Sequence, residues 1–180
     1  MKIHSDVRAQ FNKTPEAREL FGTELRQQFE KNLPESVERI WELPPIIETR
    51  QQEPYASLLR EVRELFVAGY FYSCVAMCGI VGERYSKDLL RASVLTKNEG
   101  AVSTPSEDAF KYLERVEISG IIGFLKETGT LADNAAKAAK DLCELRNSYA
   151  HARGKEFGRD ARKAIELLHT LIDRTAPLPI

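Results

Sequence analysis

Three side chains close together in the chain have the chemistry to act on a phosphodiester: the guanidinium of Arg146, the carboxamide of Asn147 and the imidazole of His151, all within Arg146-Asn147-Ser148-Tyr149-Ala150-His151. A guanidinium is planar and permanently charged, which suits it to phosphate oxygens. An imidazole transfers protons near neutral pH, and a carboxamide orients either group. At about 100° per residue, Asn147 and His151 share one helical face a turn apart, whereas Arg146 and His151 are offset by roughly 140°. Arg146 and His151 therefore converge only if the last turn distorts or two chains meet. The ordinary alternative is an Arg146 paired with an acid and a His151 that caps a helix.

Positive charge gathers around this segment. From Arg146 to Lys163 there are six bases (Arg146, Arg153, Lys155, Arg159, Arg162, Lys163) against two acids, Glu156 and Asp160. Such a patch attracts phosphate, and Arg153, Lys155 and Arg159 are the candidate nucleic-acid contacts; the alternative is a solvated helix face. The whole chain, with 26 Lys and Arg against 27 Asp and Glu, gives no general argument for a nucleic-acid partner. No group of acids accompanies the motif, so neither a metal site nor a cofactor is expected there.

The elements that must position these residues read as helices. A chain of 180 residues with 43% hydrophobic content can bury roughly 70% of its unfolded surface in one core. Residues 1–53 read as an N-terminal arm of two helices and a linker, and 54–180 as a helical domain. In the arm, Thr14 before Pro15 is a start signal, and Leu20, Leu25 and Phe29 follow at helical spacing. A shorter element spans Pro34 to Trp41, and Pro44-Pro45 and Gln51-Gln52-Glu53-Pro54 punctuate the linker. The arm either covers the core or reaches a partner.

After Pro54, Leu58, Leu59, Val62, Leu65 and Phe66 mark a helix that turns at Gly69-Tyr70. The next carries Cys74, Met77, Cys78, Val81, Tyr85 and Leu89 on one stripe. Residues 92–103 read as a loop, and Thr104-Pro105-Ser106-Glu107 as a capping box that starts a helix at Pro105 and ends near Val116. A short apolar helix over Ser119–Thr128 stops at Gly129. Thr130 then caps an alanine-rich helix running to the motif. The last helix, Phe157–Arg174, buries Ala161, Ala164, Ile165, Leu168 and Leu171. No run of alternating strand residues and no repeat stands out. The expected class is all-α.

Cys74, Cys78 and Cys143 show no zinc spacing and read as buried small hydrophobes. Their odd number, with Met1-Lys2-Ile3-His4-Ser5-Asp6 leading into polar sequence, gives the expectation of a reducing, cytoplasmic compartment. The richest apolar segment, Leu65–Val81, is broken by Gly69, Ser73 and Gly79, so no membrane span is expected.

Leu142-Cys143-Glu144-Leu145-Arg146-Asn147-Ser148-Tyr149-Ala150-His151 resembles the signature of the HEPN superfamily, an Arg, four to six residues and a His, with a polar residue after the Arg. Leu65–Ala76 followed by Gly82-Glu83-Arg84, and Phe124–Leu131, are similar to further segments of a bacterial HEPN-like family of largely uncharacterised helical proteins. The resemblance covers about residues 55 to 172. It implies a helical bundle of four or more helices that dimerises and joins two motifs in one cleft. It also implies one of two roles. The first is a metal-independent endoribonuclease of a toxin, phage-defence or RNA-processing system, cleaving by 2′-hydroxyl attack with Arg146, Asn147 and His151 as catalytic residues. The second is a non-catalytic dimerising RNA-binding or protein-interaction module. RNA, a second copy of the chain and an antitoxin or other protein engaging the N-terminal arm are the implied partners. Toxins of this superfamily that are silenced by nucleotidyl transfer carry a Tyr two residues after the His; here Arg153 stands there. Glu83 matches an acidic position of the family's earlier helix, for which the resemblance implies a contact with the motif, and is also an ordinary i,i+4 partner for Lys87, the preferred reading.

Overall fold

A computed structural model describes residues 14–44, 53–98, 101–113, 115–151 and 156–173. Among them the chain is mostly helical, with α1 at Pro15–Trp41, α2 at Glu53–Val67, α3 at Phe71–Ser93, α4 at Glu107–Leu113, α5 at Ile118–Glu127, α6 at Asp133–Ala150 and α7 at Phe157–Asp173. Helix α3 is the axis of the structure: α2, α5, α6 and α7 all pack on it, and α7 also packs on α6 and α2. No helix among the described residues is long and apolar enough to cross a membrane.

The core follows from the apolar stripes. Cys74, Val75, Cys78, Val81, Tyr85 and Leu89 of α3 are buried at steps of three and four, against Leu59, Val62 and Phe66 of α2 and Ile165, Leu168 and Leu171 of α7. Cys74 and Cys78 are fully buried free thiols, and Cys143 is partly covered. Burial pushes the Cys78 thiol well above its usual range, so it stays protonated. The two turn glycines work as their sequence suggests. Gly69, after α2, has φ +82° and Gly129, after α5, has φ +74°, conformations in which a Cβ is strained.

Several expected boundaries move. The two helices expected over Pro15–Trp41 are one 27-residue helix, because Pro34 sits inside α1. Proline removes a single backbone bond, to the carbonyl of Glu30, and both residues are exposed, so the loss falls where the backbone is open to solvent. Thr14 does cap α1, its hydroxyl accepting from the Ala17 amide at 3.2 Å. Helix α4 begins at Glu107, two residues later than expected, with Ser106 accepting from Ala109 at 3.3 Å. Helix α6 begins at Asp133 behind Ala132, which has no side-chain acceptor, while the Thr130 hydroxyl lies 3.1 Å from that of Thr128. Within the expected loop, Thr96–Asn98 (β1) and Ala101–Ser103 (β2) pair antiparallel, with Lys97 opposite Val102.

Of the arm's described residues, Leu43 joins the core at 8% exposure, while α1 lies mostly open. Helix α1 packs chiefly on α2, and Ala17 is its one buried residue. Arg39 makes the firmest tie, donating from Nη1 to the Val67 carbonyl at 3.0 Å with its guanidinium 5.3 Å from the Phe71 ring centroid. The linker prolines and glutamines from Pro45 to Gln52 lie outside the described residues.

Candidate functional site

Helix α6 is built to hold its last turn firmly. Ala135, Ala136, Ala138 and Ala139 are strong helix formers and all buried, and Leu142 and Tyr149 extend the same buried face. Arg146 falls between Leu142 and Tyr149, at the edge of that face. Its stem therefore lies against α3, where Gly79 leaves room: a Cβ built on Gly79 would stand 2.5 Å from Arg146 Cγ and 2.7 Å from its Cβ. One turn along, a Cβ on Gly82 would stand 2.8 Å from a Leu142 methyl. The absence of side chains at these positions sets how closely α3 and α6 approach.

The approach delivers the Arg146 guanidinium to an acid. Nη2 donates to Glu83 Oε2 at 2.6 Å, and Nη1 reaches Asn147 Oδ1 at 3.3 Å. Glu83 is shared, because Lys87 Nζ donates to its other oxygen at 2.8 Å. Spacing suggested only the local Glu83–Lys87 pair; the carboxylate in fact bridges both cations. Its pKa is held below the usual carboxylate value, first by the Lys87 hydrogen bond and then by the charges of Lys87 and Arg146, against the opposing effect of burial. Two bases on one acid leave the cluster with one positive charge in excess. A third of the Arg146 side chain, 34%, remains open to solvent, so the guanidinium is held but reachable.

Asn147 and His151 are exposed. The helix stays regular through Ala150, and His151 is its C-cap at φ −99° and ψ 19°, its amide donating to the Asn147 carbonyl at 3.2 Å. Within one chain, then, Arg146 turns toward α3 and His151 stands at the exposed end of α6. Arg146 and Asn147 touch through their side chains, and His151 joins them only through its backbone.

Tyr149, which the motif carries between them, is structural. Its ring is buried between Tyr72 and Phe157, at centroid distances of 5.3 and 6.1 Å. Its hydroxyl donates to Asp160 at 2.9 Å, and burial first, then this bond, pushes its pKa above the ordinary tyrosine value. The Tyr72 hydroxyl donates to the Tyr149 carbonyl, satisfying one acceptor of the last turn from α3. Cys143, one turn before Arg146, has its thiol pKa raised by burial, with the Arg146 charge opposing, which keeps it protonated at neutral pH.

The basic patch is less cationic than its sequence. Arg159 pairs with Glu156 at 2.9 Å and Arg162 with Glu166 at 3.0 Å, all on exposed faces. Arg153 and Lys155 lie outside the described residues. Among the described residues no three His, Cys, Asp or Glu side chains are grouped as metal ligands would be. Sequence reasoning missed Gly79 as the point of approach, and it preferred the Lys87 pair to the contact between Glu83 and the motif that the resemblance implied; both are present. No family model matches the chain, and comparison with curated proteins and with solved structures yields no match to it.

Proposed function

We propose that the chain is a metal-independent endoribonuclease of the HEPN type, with Arg146 stabilising charge on the scissile phosphate, His151 transferring the proton and Asn147 orienting the imidazole or the phosphate. What carries the reading is the end of α6: a held, partly open guanidinium in contact with an exposed carboxamide, one turn before an exposed imidazole. RNA supplies its own nucleophile, the 2′-hydroxyl, so proton transfer and charge stabilisation suffice for cleavage. Because Arg146 and His151 diverge within one chain, a second copy completes the site, His151 of one protomer facing Arg146 of the other. The open apolar side of α1 suits the protein partner expected for the arm.

A second reading has its own support. The 2.6 Å pair with Glu83 is what a structural Arg146 would make, and a non-catalytic RNA-binding or interaction module keeps the fold with the pair closed. Cleavage of single-stranded and structured RNAs in chelator by the wild type, beside His151→Ala and Arg146→Ala, separates the two. The enzyme reading expects 2′,3′-cyclic phosphate ends, a loss of about 10²- to 10⁴-fold in each variant with unchanged helicity, and a solution mass of twice the 20.4 kDa chain. Intact RNA with the wild type, together with unfolding or dissociation of Arg146→Ala, leaves the second reading in place.

A further inference from the structure

Beside the Glu83–Arg146 pair, a cleft of about 390 Å³ opens between α3, α4 and α5. Its volume lies at the low end of the roughly 300–1,000 Å³ of small-molecule sites, suited to a ligand the size of one nucleotide. Glu83 forms part of its wall, so the cleft and the motif share a residue. Three bases of α3, Arg84, Lys87 and Arg91, line it against two acids. Both acids are already engaged. Glu83 holds Lys87 and Arg146, while Asp88 accepts from the Tyr55 hydroxyl and lies 3.9 Å from Arg84.

The deep side is apolar, with Phe110 6% and Ile121 2% exposed, and the flat surface left partly open is the Arg91 guanidinium laid over the Phe110 ring. The Arg91 guanidinium lies 4.9 Å from the centroid of Phe110, and Ile121 closes the floor. Guanidinium and aromatic planes are the surfaces on which unstacked bases of single-stranded RNA settle. The direction also fits. Gly82 faces Leu142, Gly79 faces Arg146, and Tyr72 reaches Tyr149, so α6 runs antiparallel to α3. His151 therefore stands toward the start of α3, and the cleft begins at Ile80, immediately past Gly79, and runs on toward Arg91. A strand crossing the motif and following α3 toward its C-terminus enters the cleft next.

We propose that this cleft is a nucleotide subsite, in which Arg84 takes a phosphate and the Arg91–Phe110 stack takes the base of the nucleotide adjacent to the one held at Arg146. That the nucleotide belongs to an RNA strand rests on the ribonuclease reading of the motif; the charge and shape of the cleft do not. The test uses the full chain and two probes, a non-cleavable 2′-O-methyl hexanucleotide and adenosine 5′-monophosphate, with binding followed by anisotropy and calorimetry. The double variant Arg84→Gln/Arg91→Gln leaves the Glu83 pairs untouched, and the single variant Arg84→Gln changes a side chain that is 68% exposed, which guards against a folding defect.

The double variant is expected to bind the hexanucleotide at least tenfold more weakly, and its plot of log K against log salt to flatten by about 0.7 for each phosphate that is no longer neutralised. On a cleaved RNA it raises KM and leaves kcat. If the wild type cleaves nothing but the double variant still loses hexanucleotide binding, the subsite stands and the ribonuclease reading falls. If the wild type cleaves RNA and both variants bind the hexanucleotide as the wild type does, the ribonuclease stands and the subsite falls. A wild type that binds neither probe overturns the subsite. Adenosine monophosphate binding as tightly as the hexanucleotide, and displacing it, overturns the assignment to a strand in favour of a free nucleotide.

Discussion

Helices α1 and α7 both carry recurring apolar residues, spreading around α1 in steps of four at Leu25, Phe29, Leu33 and Val37 and drawn into one stripe in α7, and they end in opposite surroundings. In α7, Ile165, Leu168, Leu171 and Ile172 are at most 1% exposed, because α3, α6 and α2 each present a face to them. In α1, Leu25 and Phe29 are both 67% exposed and Trp41 is 83% exposed, with α2 as the principal neighbour. Spacing chooses which side of a helix is apolar. The number of neighbouring elements decides whether that side is covered, and only the covered one contributes fully to stability.

The contrast can be broken most sharply at Leu168. Leu168→Ala is expected to cost about 2–5 kcal/mol in chemical denaturation, as a truncated, fully buried leucine does. A loss below about 1 kcal/mol would show that α7 is not the core helix it is taken for. Next in size is Gly79→Ala. In open helix, replacing Gly by Ala gains roughly 0.5–1 kcal/mol, which is the expectation for Gly22 in α1, where an added Cβ meets nothing within 4 Å. At Gly79 the methyl would press on Arg146 Cβ and Cγ, so a loss of about 1–3 kcal/mol is expected instead. Equal and same-signed effects at the two glycines would mean that α3 and α6 are not in close contact.

A smaller effect belongs to acid solution. His169 of α7 is buried, its Nε2 has no hydrogen-bond partner among the described residues, and burial lowers its pKa below the ordinary 6.5 despite the opposing charge of Asp173. Between the folded and unfolded pKa values the unfolded chain binds more protons. Stability from this site is therefore complete above pH 6.5 and is lost as pH falls through 6.5 toward the folded value. Urea midpoints that fall over this range in the wild type but less in His169→Phe would bear this out; parallel profiles would refute it. The smallest change is expected at Leu25→Ala, within about 0.5 kcal/mol, since the side chain is already mostly in water. A loss near that of Leu168→Ala would mean that α1 is covered in solution.

Much of the helical core was legible, and the reasons are local. Cys74, Cys78, Val81 and Leu89 repeat at three and four, the alanines of α6 form helix whatever surrounds them, and Gly69 and Gly129 mark turns that need positive φ. What sequence hid was either too short or too distant. Three-residue strands cannot show alternation, so the paired strands Thr96–Asn98 and Ala101–Ser103 read as loop. Pro34 looks like a boundary because its cost depends on whether water reaches the freed carbonyl, which is a property of the folded surface. Of the candidate site, the residues of the motif were visible but not their directions. The i,i+4 partnership of Glu83 with Lys87 is written in the spacing, whereas its bond to Arg146, sixty-three residues away, exists only because Gly79 lets two helices meet.

That shared carboxylate has a consequence for how the guanidinium is released. Withdrawing one member of an enclosed ion pair normally strands the other, and the stranded charge resists the change. Here an arriving anion that draws Arg146 away leaves Glu83 still neutralised by Lys87 at 2.8 Å. The cation is tethered at rest and yet cheap to lend, so α6 can exchange one counter-ion for another without moving a helix.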